Sequence, residues 1–251
     1  MIDIHSHLLP GVDDGSPSVE VSVAVLNQFA ADGVDQLICT PHLKASDAAV
    51  VPDALYAERF AILAAAAPAR PALLRGWEIM LDMPGIDLRA PFLGLGGSDA
   101  VLVEFPHSGV PTGATAELFR LRMSGLTPVL AHPERYAGCT PDLVREWRQI
   151  GVVMQIDALA LTARGPMGLL ARAMLAEGLA DCLASDNHGD RRSLADARRW
   201  LEELGASEQA QILTSTNAGR VLAGQPVLPV APVTVESGMV GRLRALFRRR
   251  Q

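Results

Sequence analysis

Met1-Ile-Asp-Ile-His5-Ser-His7, the first seven residues, alternate apolar and polar side chains and end on two histidines two positions apart. That is the form of a β-strand whose alternate side chains share one face, and here the strand finishes on two metal-capable groups. The same construction returns along the chain. Short apolar runs close on Cys39-Thr-Pro-His42, Gly76-Trp-Glu78, Val103-Glu104, Ala131-His132-Pro-Glu-Arg135 and Ser185-Asp186-Asn-His188. Between them lie alanine- and leucine-rich stretches of helical period, so the chain reads as successive βα units.

Strands are predicted near residues 2–5, 35–41, 72–78, 100–104, 127–131, 152–157 and 180–185, and helices near 17–33, 53–66, 113–125, 140–150, 166–177 and 193–204. Ser16-Pro17, Thr140-Pro141 and Gly165-Pro166 mark helix starts, while Gly33, Gly125, Gly151, Gly178 and Gly205 mark stops. Seven strands, nearly all followed by a helix, predict an α/β fold, a distorted (β/α)7-type barrel. Its active site is expected at the C-terminal ends of the strands.

With 251 residues and 49% hydrophobic side chains, the chain can bury one sizeable core. A formal net charge of -6 argues against nucleic acid as a partner, since no general basic surface exists to hold a phosphate backbone. Cys39, Cys139 and Cys182 are odd in number and lack CxxC spacing, which suggests neither a disulfide framework nor a thiolate zinc site. The start lacks the basic and apolar regions of a signal peptide, and no segment supplies the roughly 20 apolar residues of a membrane span. The expectation is a soluble cytoplasmic protein.

Residues 1–224 are expected to form the functional domain and 225–251 a C-terminal extension, opening with Gln225-Pro226, Pro229 and Pro232. In its tail Met239, Val240, Leu243, Leu246 and Phe247 alternate with five arginines. This reads either as a short basic amphipathic helix that touches an acidic membrane surface or partner, or as a solvated terminus.

Five of the six histidines, His5, His7, His42, His132 and His188, sit at strand ends, each after an apolar run; His107 follows Glu104 in a loop and is left out. Asp13 and Asp14 lie in a Pro-Gly-Val-Asp-Asp-Gly turn that could return a carboxylate to the same place. Together with Glu78, Glu104 and Asp186, the set is nitrogen and oxygen without thiolate, which suits manganese, iron or zinc. Five histidines and four carboxylates are too many for one ion, so two or three divalent ions are expected.

The run from Met1 to Gly15 resembles the opening of the PHP-class tyrosine-protein phosphatases associated with bacterial capsular and exopolysaccharide synthesis. The resemblance continues through Thr40-Pro-His42, Gly76-Trp-Glu78-Ile, Val103-Glu104-Phe-Pro, Ala131-His132-Pro-Glu-Arg135 and Ser185-Asp186-Asn-His188. It implies a barrel of the PHP superfamily and one metal on His5, His7, Glu78 and Asp186. Glu78 would bridge to a second ion on Glu104 and His132, and a third would sit on Asp14, His42 and His188. The implied activity is hydrolysis of phosphotyrosine on a protein, physiologically the tyrosine kinase that controls polysaccharide export, with a hydroxide shared by metals as nucleophile.

Arg135, three residues after His132, is placed to neutralise charge on the phosphoryl group. Arg191 and Arg192 match a basic position of the family only after a one-residue shift and are candidate phosphate contacts. After His42 the chain reads Leu-Lys-Ala-Ser-Asp-Ala, without the aromatic residues found in that loop in many relatives. The competing readings are a PHP phosphatase for a small metabolite such as histidinol phosphate, and a non-catalytic metal-stabilised scaffold. A nuclease is disfavoured by the acidic charge. An amidohydrolase with a carboxylated lysine is disfavoured because Lys44, the only lysine, lies in a loop.

Overall fold

The computed structural model describes residues 1–106 and 109–235. His107 and the arginine-rich tail lie outside the described residues. Nine strand segments form two all-parallel sheets. The first holds β1 (Ile2–Asp3), β2 (Gln36–Cys39) and β4 (Ala72–Arg75) in the order β1-β2-β4. The second holds β3 (His42–Lys44), β5 (Glu78–Met80), β6 (Ala100–Glu104), β7 (Thr127–Ala131), β8 (Val153–Asp157) and β9 (Cys182–Ala184), in that order.

β2 and β4 fall within the predicted strands 35–41 and 72–78, but each continues after a break, as β3 and β5, beyond the predicted ends; Lys44, expected in a loop, is the last residue of β3. Pro41 interrupts the first because it has no N–H for the ladder. Gly76-Trp77 interrupts the second. The backbone bridges both breaks, with Gly76 N donating to Cys39 O at 3.0 Å and Glu78 N to Pro41 O at 3.1 Å. A parallel bridge from Ser6 to Asn187 closes the ring, reinforced by His7 N donating to Asn187 O at 2.8 Å. Seven strand positions therefore surround one axis, the expected distorted (β/α)7 barrel.

Six helices stand where the periodicity placed them: α1 (Val19–Ala31), α2 (Asp53–Ala66), α3 (Ala114–Met123), α4 (Pro141–Gln149), α5 (Gly165–Ala176) and α6 (Leu194–Glu203). Thr140 caps α4, its hydroxyl accepting from Leu143 N at 3.3 Å, and Pro141 occupies the first turn. The first helix starts later than Ser16-Pro17 suggests. Ser18 is the cap, because the Ser16 hydroxyl is engaged with Ser18 O and Ser22. All five stop glycines have φ between 65° and 95°, the left-handed region that side chains resist.

The sequence reading missed α7 (Ser207–Gln211) and α8 (Asn217–Leu222), joined through a π-helical turn at Ile212–Thr216. The Asn217 side chain ties α8 to the start of β9 through Asp181 O, at 2.9 Å, and accepts from Leu228 N at 2.7 Å. Residues 225–235 run back over the body, burying Val230 and Val233. Among the described residues no helix is long and apolar enough to cross a membrane.

Strand parity divides the core. Ala100 and Leu102, Val129 and Ala131, and Cys182 and Ala184 form one cluster with Ile4, Ile38 and Val153, which fills the barrel. Alternate positions, among them Val101, Val103, Leu130, Met154, Ile156 and Leu183, join the larger cluster beneath the helices. Inward columns therefore run apolar, apolar, then polar: Ala100, Leu102, Glu104 on β6 and Cys182, Ala184, Asp186 on and after β9. The apolar lower barrel thus sets the direction in which the carboxylates emerge.

Trp147 anchors α4, fully buried with its ring edge-on to Phe105 at 5.6 Å and its N–H donating to Thr115 Oγ1 at 2.9 Å. Trp147→Ala is expected to lower stability by about 3–5 kcal/mol, the usual loss for a large aromatic core truncation. Urea unfolding followed by circular dichroism would measure it.

Candidate metal centre

His5 and His7 emerge from β1 with their Nε2 atoms 3.2 Å apart. His5 Nε2 lies 3.3 Å from Glu78 Oε1 and 3.2 Å from Asp186 Oδ1, and His7 Nε2 lies 3.2 Å from Glu78 Oε2 and 3.3 Å from Asp186 Oδ1. All four side chains are buried. Donors that each stand about 2.1 Å from a tetrahedral ion are roughly 3.4 Å from one another, so this spacing fits a divalent cation. The far ring nitrogens are oriented by other groups: His5 Nδ1 meets Gln155 Oε1 at 2.8 Å, and His7 Nδ1 meets Asp13 Oδ2 at 2.8 Å. Such partners fix the imidazole plane and tautomer of a metal-binding histidine.

Around this quartet stand the remaining candidates. His132 Nε2 lies 2.8 Å from Glu78 Oε1 and 4.0 Å from Glu104 Oε2. His42 Nδ1 lies 3.0 Å from Glu78 Oε2 and 3.5 Å from Glu104 Oε1, while its Nε2 lies 3.4 Å from Asp14 Oδ1. His188 Nε2 is 3.6 Å from the same Asp14 oxygen. Four overlapping groups could each hold an ion: His5, His7 and Asp186; His5, Glu78 and His132; His42, Glu78 and Glu104; and His7, Asp14, His42 and His188. All nine sequence-chosen donors meet at one mouth of the barrel. Their sharing differs from the partition the resemblance implies, because His42 faces two groups and His7 reaches the Asp14 group.

The electrostatics follow from packing acids against imidazoles. Burial works against ionised Glu78, but His5 and hydrogen bonds from His132 and His42 outweigh it and hold the carboxyl well below its usual range. Burial likewise disfavours charged His42, yet hydrogen bonds to Glu104 and Glu78 lift it to about 10. His7 is raised against its burial by Asp13, Asp186 and Glu78. His188 moves the other way, lowered by burial and by the neighbouring His7. Two donors also sit in backbone conformations that non-glycine residues avoid, His132 at φ 35° and Asp186 at φ 48°. Such strain of about 1–3 kcal/mol per residue collects at functional sites.

The donors open into a cavity of about 860 Å³ that also exposes Arg135. The Arg135 guanidinium binds Asp157 and Asp186. Burial opposes its charge, but these two carboxylates raise its pKa further. Arg192 Nη1 reaches Asp186 Oδ2 at 3.3 Å, and Arg192 also binds Asp190. Arg191 and Arg192 line a separate cavity of about 420 Å³ beside Leu159, Thr162 and Ser193.

Asp13, Gln155 and Asp157 were not singled out as site residues. The signal for β8 was present in Val153-Met-Gln155-Ile-Asp157, where inward parity gives the same apolar-to-polar column as β6. Asp157 also receives support from behind, its N–H donating at 2.8 Å to Glu134, a carboxyl that burial and Asp157 push up to about 8.

A barrel of this kind with a clustered imidazole–carboxylate mouth defines a class of metal-dependent hydrolases. The family described as capsular polysaccharide synthesis, CpsB/CapC, matches residues 1–223, and the chain belongs to that family. Tyrosine-protein phosphatase YwqE of Bacillus subtilis is 28% identical, over 94% of this chain and 97% of its own length. Tyrosine-protein phosphatase CpsB of Streptococcus agalactiae is 28% identical, over 88% of this chain and 98% of its own. A solved structure from the pair YwqE of B. subtilis and CpsB of Streptococcus pneumoniae, described as unique metal-dependent tyrosine phosphatases, superposes with a TM-score of 0.76. It is 27% identical and covers 94% of this chain and 100% of that one.

Because Asp13 holds His7, Asp13→Ala is expected to weaken divalent-metal binding by about 10- to 100-fold, as loss of such an orienting partner does. Titration calorimetry on chelator-treated protein would show it, and unchanged affinity would remove Asp13 from the support of the centre.

Proposed function

We propose that the protein is a metal-dependent protein-tyrosine phosphatase. His5, His7, Asp14, His42, Glu78, Glu104, His132, Asp186 and His188 hold two or three divalent ions, manganese by preference. The observation that carries this reading is the convergence of these donors in overlapping groups at one barrel mouth, seven of them sharing a cavity with Arg135. Membership of the family and the names of its relatives support the phosphotyrosine substrate. The physiological substrate in this reading is the tyrosine kinase that governs polysaccharide export.

Ions in such a centre supply an attacking water of lowered pKa and neutralise phosphoryl oxygens. Arg135 does the rest of the charge stabilisation. Anchored by Asp157 and Asp186, its fork is preorganised, and its remaining N–H groups are free to bind oxygens that gain charge in the transition state. The strained backbone at His132 and Asp186 fixes the direction of both donors. A tyrosine phenolate, of pKa about 10, leaves with little proton assistance, so the absence of a dedicated acid in this account is chemically consistent.

Protein prepared without chelator is expected to carry two to three metals per chain and to hydrolyse a phosphotyrosyl peptide faster with added manganese. Stripping with chelator should abolish turnover, and manganese should restore it. Histidinol phosphate turned over in preference to the peptide would overturn the protein substrate. Metal-loaded protein inactive on both would favour a scaffold.

Arg135→Ala is expected to retain its metals while turnover falls by a factor on the order of 100 or more, the cost of losing one preorganised charge stabiliser. Metal analysis beside steady-state kinetics separates the two effects, and unchanged turnover would exclude Arg135 from the mechanism.

A further inference from the structure

The donors and Arg135 make up part of the lining of the large cavity. An apolar stretch of that lining is formed by Leu43 from β3, by Val50, Val51 and Pro52 from the segment leading into α2, and by Tyr56 in the first turns of α2, with Lys44 and Asp47 among them. An apolar wall beside a phosphoryl-binding centre is unneeded for phosphate itself. It serves whatever carries the phosphate.

Tyr56 is the aromatic member of that wall, and it is held rather than loose. Its ring stands edge-on to Trp77, with centroids 4.4 Å apart and planes at 66°. Trp77 is buried and donates its indole N–H to Phe92 O at 3.0 Å. Trp77 also precedes Glu78 directly, so the platform beneath Tyr56 and the most deeply shared donor of the centre belong to one short segment. Burial and, after it, the Asp13 carboxylate raise the Tyr56 hydroxyl above its ordinary pKa. The loop after His42 carries no aromatic residue of its own.

We infer that Tyr56 is the aryl subsite, packing against the ring of the substrate phosphotyrosine and selecting aryl over alkyl phosphate monoesters. The inference rests on the phosphatase reading and assigns its specificity. An aromatic pair adds modest affinity beyond the burial of area, which corresponds to a discrimination of about tenfold. The gain falls on binding, because the ring contacts exist before the phosphoryl bond is broken.

The test uses the full manganese-loaded chain, with Tyr56→Ala and Tyr56→Phe. One readout is the ratio of kcat/KM for a phosphotyrosyl peptide to that for ethyl phosphate. The other is the affinity, by calorimetry, of a phosphonomethyl-phenylalanine peptide relative to methylphosphonate. The change in each ratio on mutation is what counts, since the two esters differ in intrinsic reactivity. Tyr56→Ala should lower both ratios about tenfold, through KM in the kinetic case, while Tyr56→Phe should keep both near wild type. Ratios unchanged by Tyr56→Ala would overturn the subsite while leaving the phosphatase reading intact, as would equal losses on aryl and alkyl substrates. Wild-type protein that neither hydrolyses nor binds the aryl compounds would overturn the phosphatase reading, and the subsite with it.

Discussion

Glu78 is the group on which the rest of the site depends. Its two oxygens lie within 3.3 Å of nitrogens on four histidines, His5, His7, His42 and His132, and its side chain is buried. An ionised carboxylate taken from water costs several kcal/mol unless opposite charge meets it. Here imidazole nitrogens from three other strands surround it, so Glu78 links the barrel mouth together as well as standing in three of the donor contacts. Its placement needs the break between β4 and β5. A Cβ on Gly76 would stand 2.9 Å from the Leu95 side chain and 3.0 Å from that of Ile38, so a larger residue there would have to displace both to keep Trp77 and Glu78 in place.

The same division of labour explains why this barrel was legible in sequence. Each strand carries an apolar inward column that must stop where the solvent-filled mouth begins, and the residue after the stop is a donor. Glu104 and Asp186 follow that rule, so their chemistry and their strand boundaries were read from the same letters, whereas His5 and His7 lie at the parity opposite to Ile4. What the sequence hid was of a different kind. The continuation of the strand past Pro41 as β3 was not read, and Gly76 breaks a strand that periodicity joined, because local ladder geometry does not alter a hydrophobic pattern. α7 and α8 were missed because Ser207-Glu-Gln-Ala-Gln has no apolar stripe, and what fixes them is the Asn217 side chain bonded to distant backbone. Gln155 and Asp157 obeyed the column rule, yet neither is a histidine, and the strand was read as plain core.

How the donors are shared was also beyond sequence. Spacing places a histidine at a strand end but says nothing of which carboxylate its two nitrogens will face. His42 has one nitrogen toward Glu78 and Glu104 and the other toward Asp14, and is therefore the hinge between groups that the resemblance kept apart. It is also among the more exposed of the donors, at 40% for the side chain. The buried quartet has little freedom to rearrange, whereas the outer group of Asp14, His42 and His188 borders the cavity and the solvent.

Arg135 shows why the carboxylates near the centre cannot be counted simply as donors. Asp186 gives one oxygen to the histidines and the other to Arg135 and Arg192, so its charge is divided between holding the centre and holding the cations around it. Asp157 supplies Arg135 with a second anchor that belongs to none of the four donor groups. Both carboxylates meet the same Nη2 nitrogen, so in the proposed reading it is the other N–H groups of the guanidinium, held in a fixed direction, that face the phosphoryl group. In that reading a chain of net charge -6 presents a local binding place for a dianion. A uniformly basic pocket would attract phosphate more strongly at a distance but would not aim it at the donors.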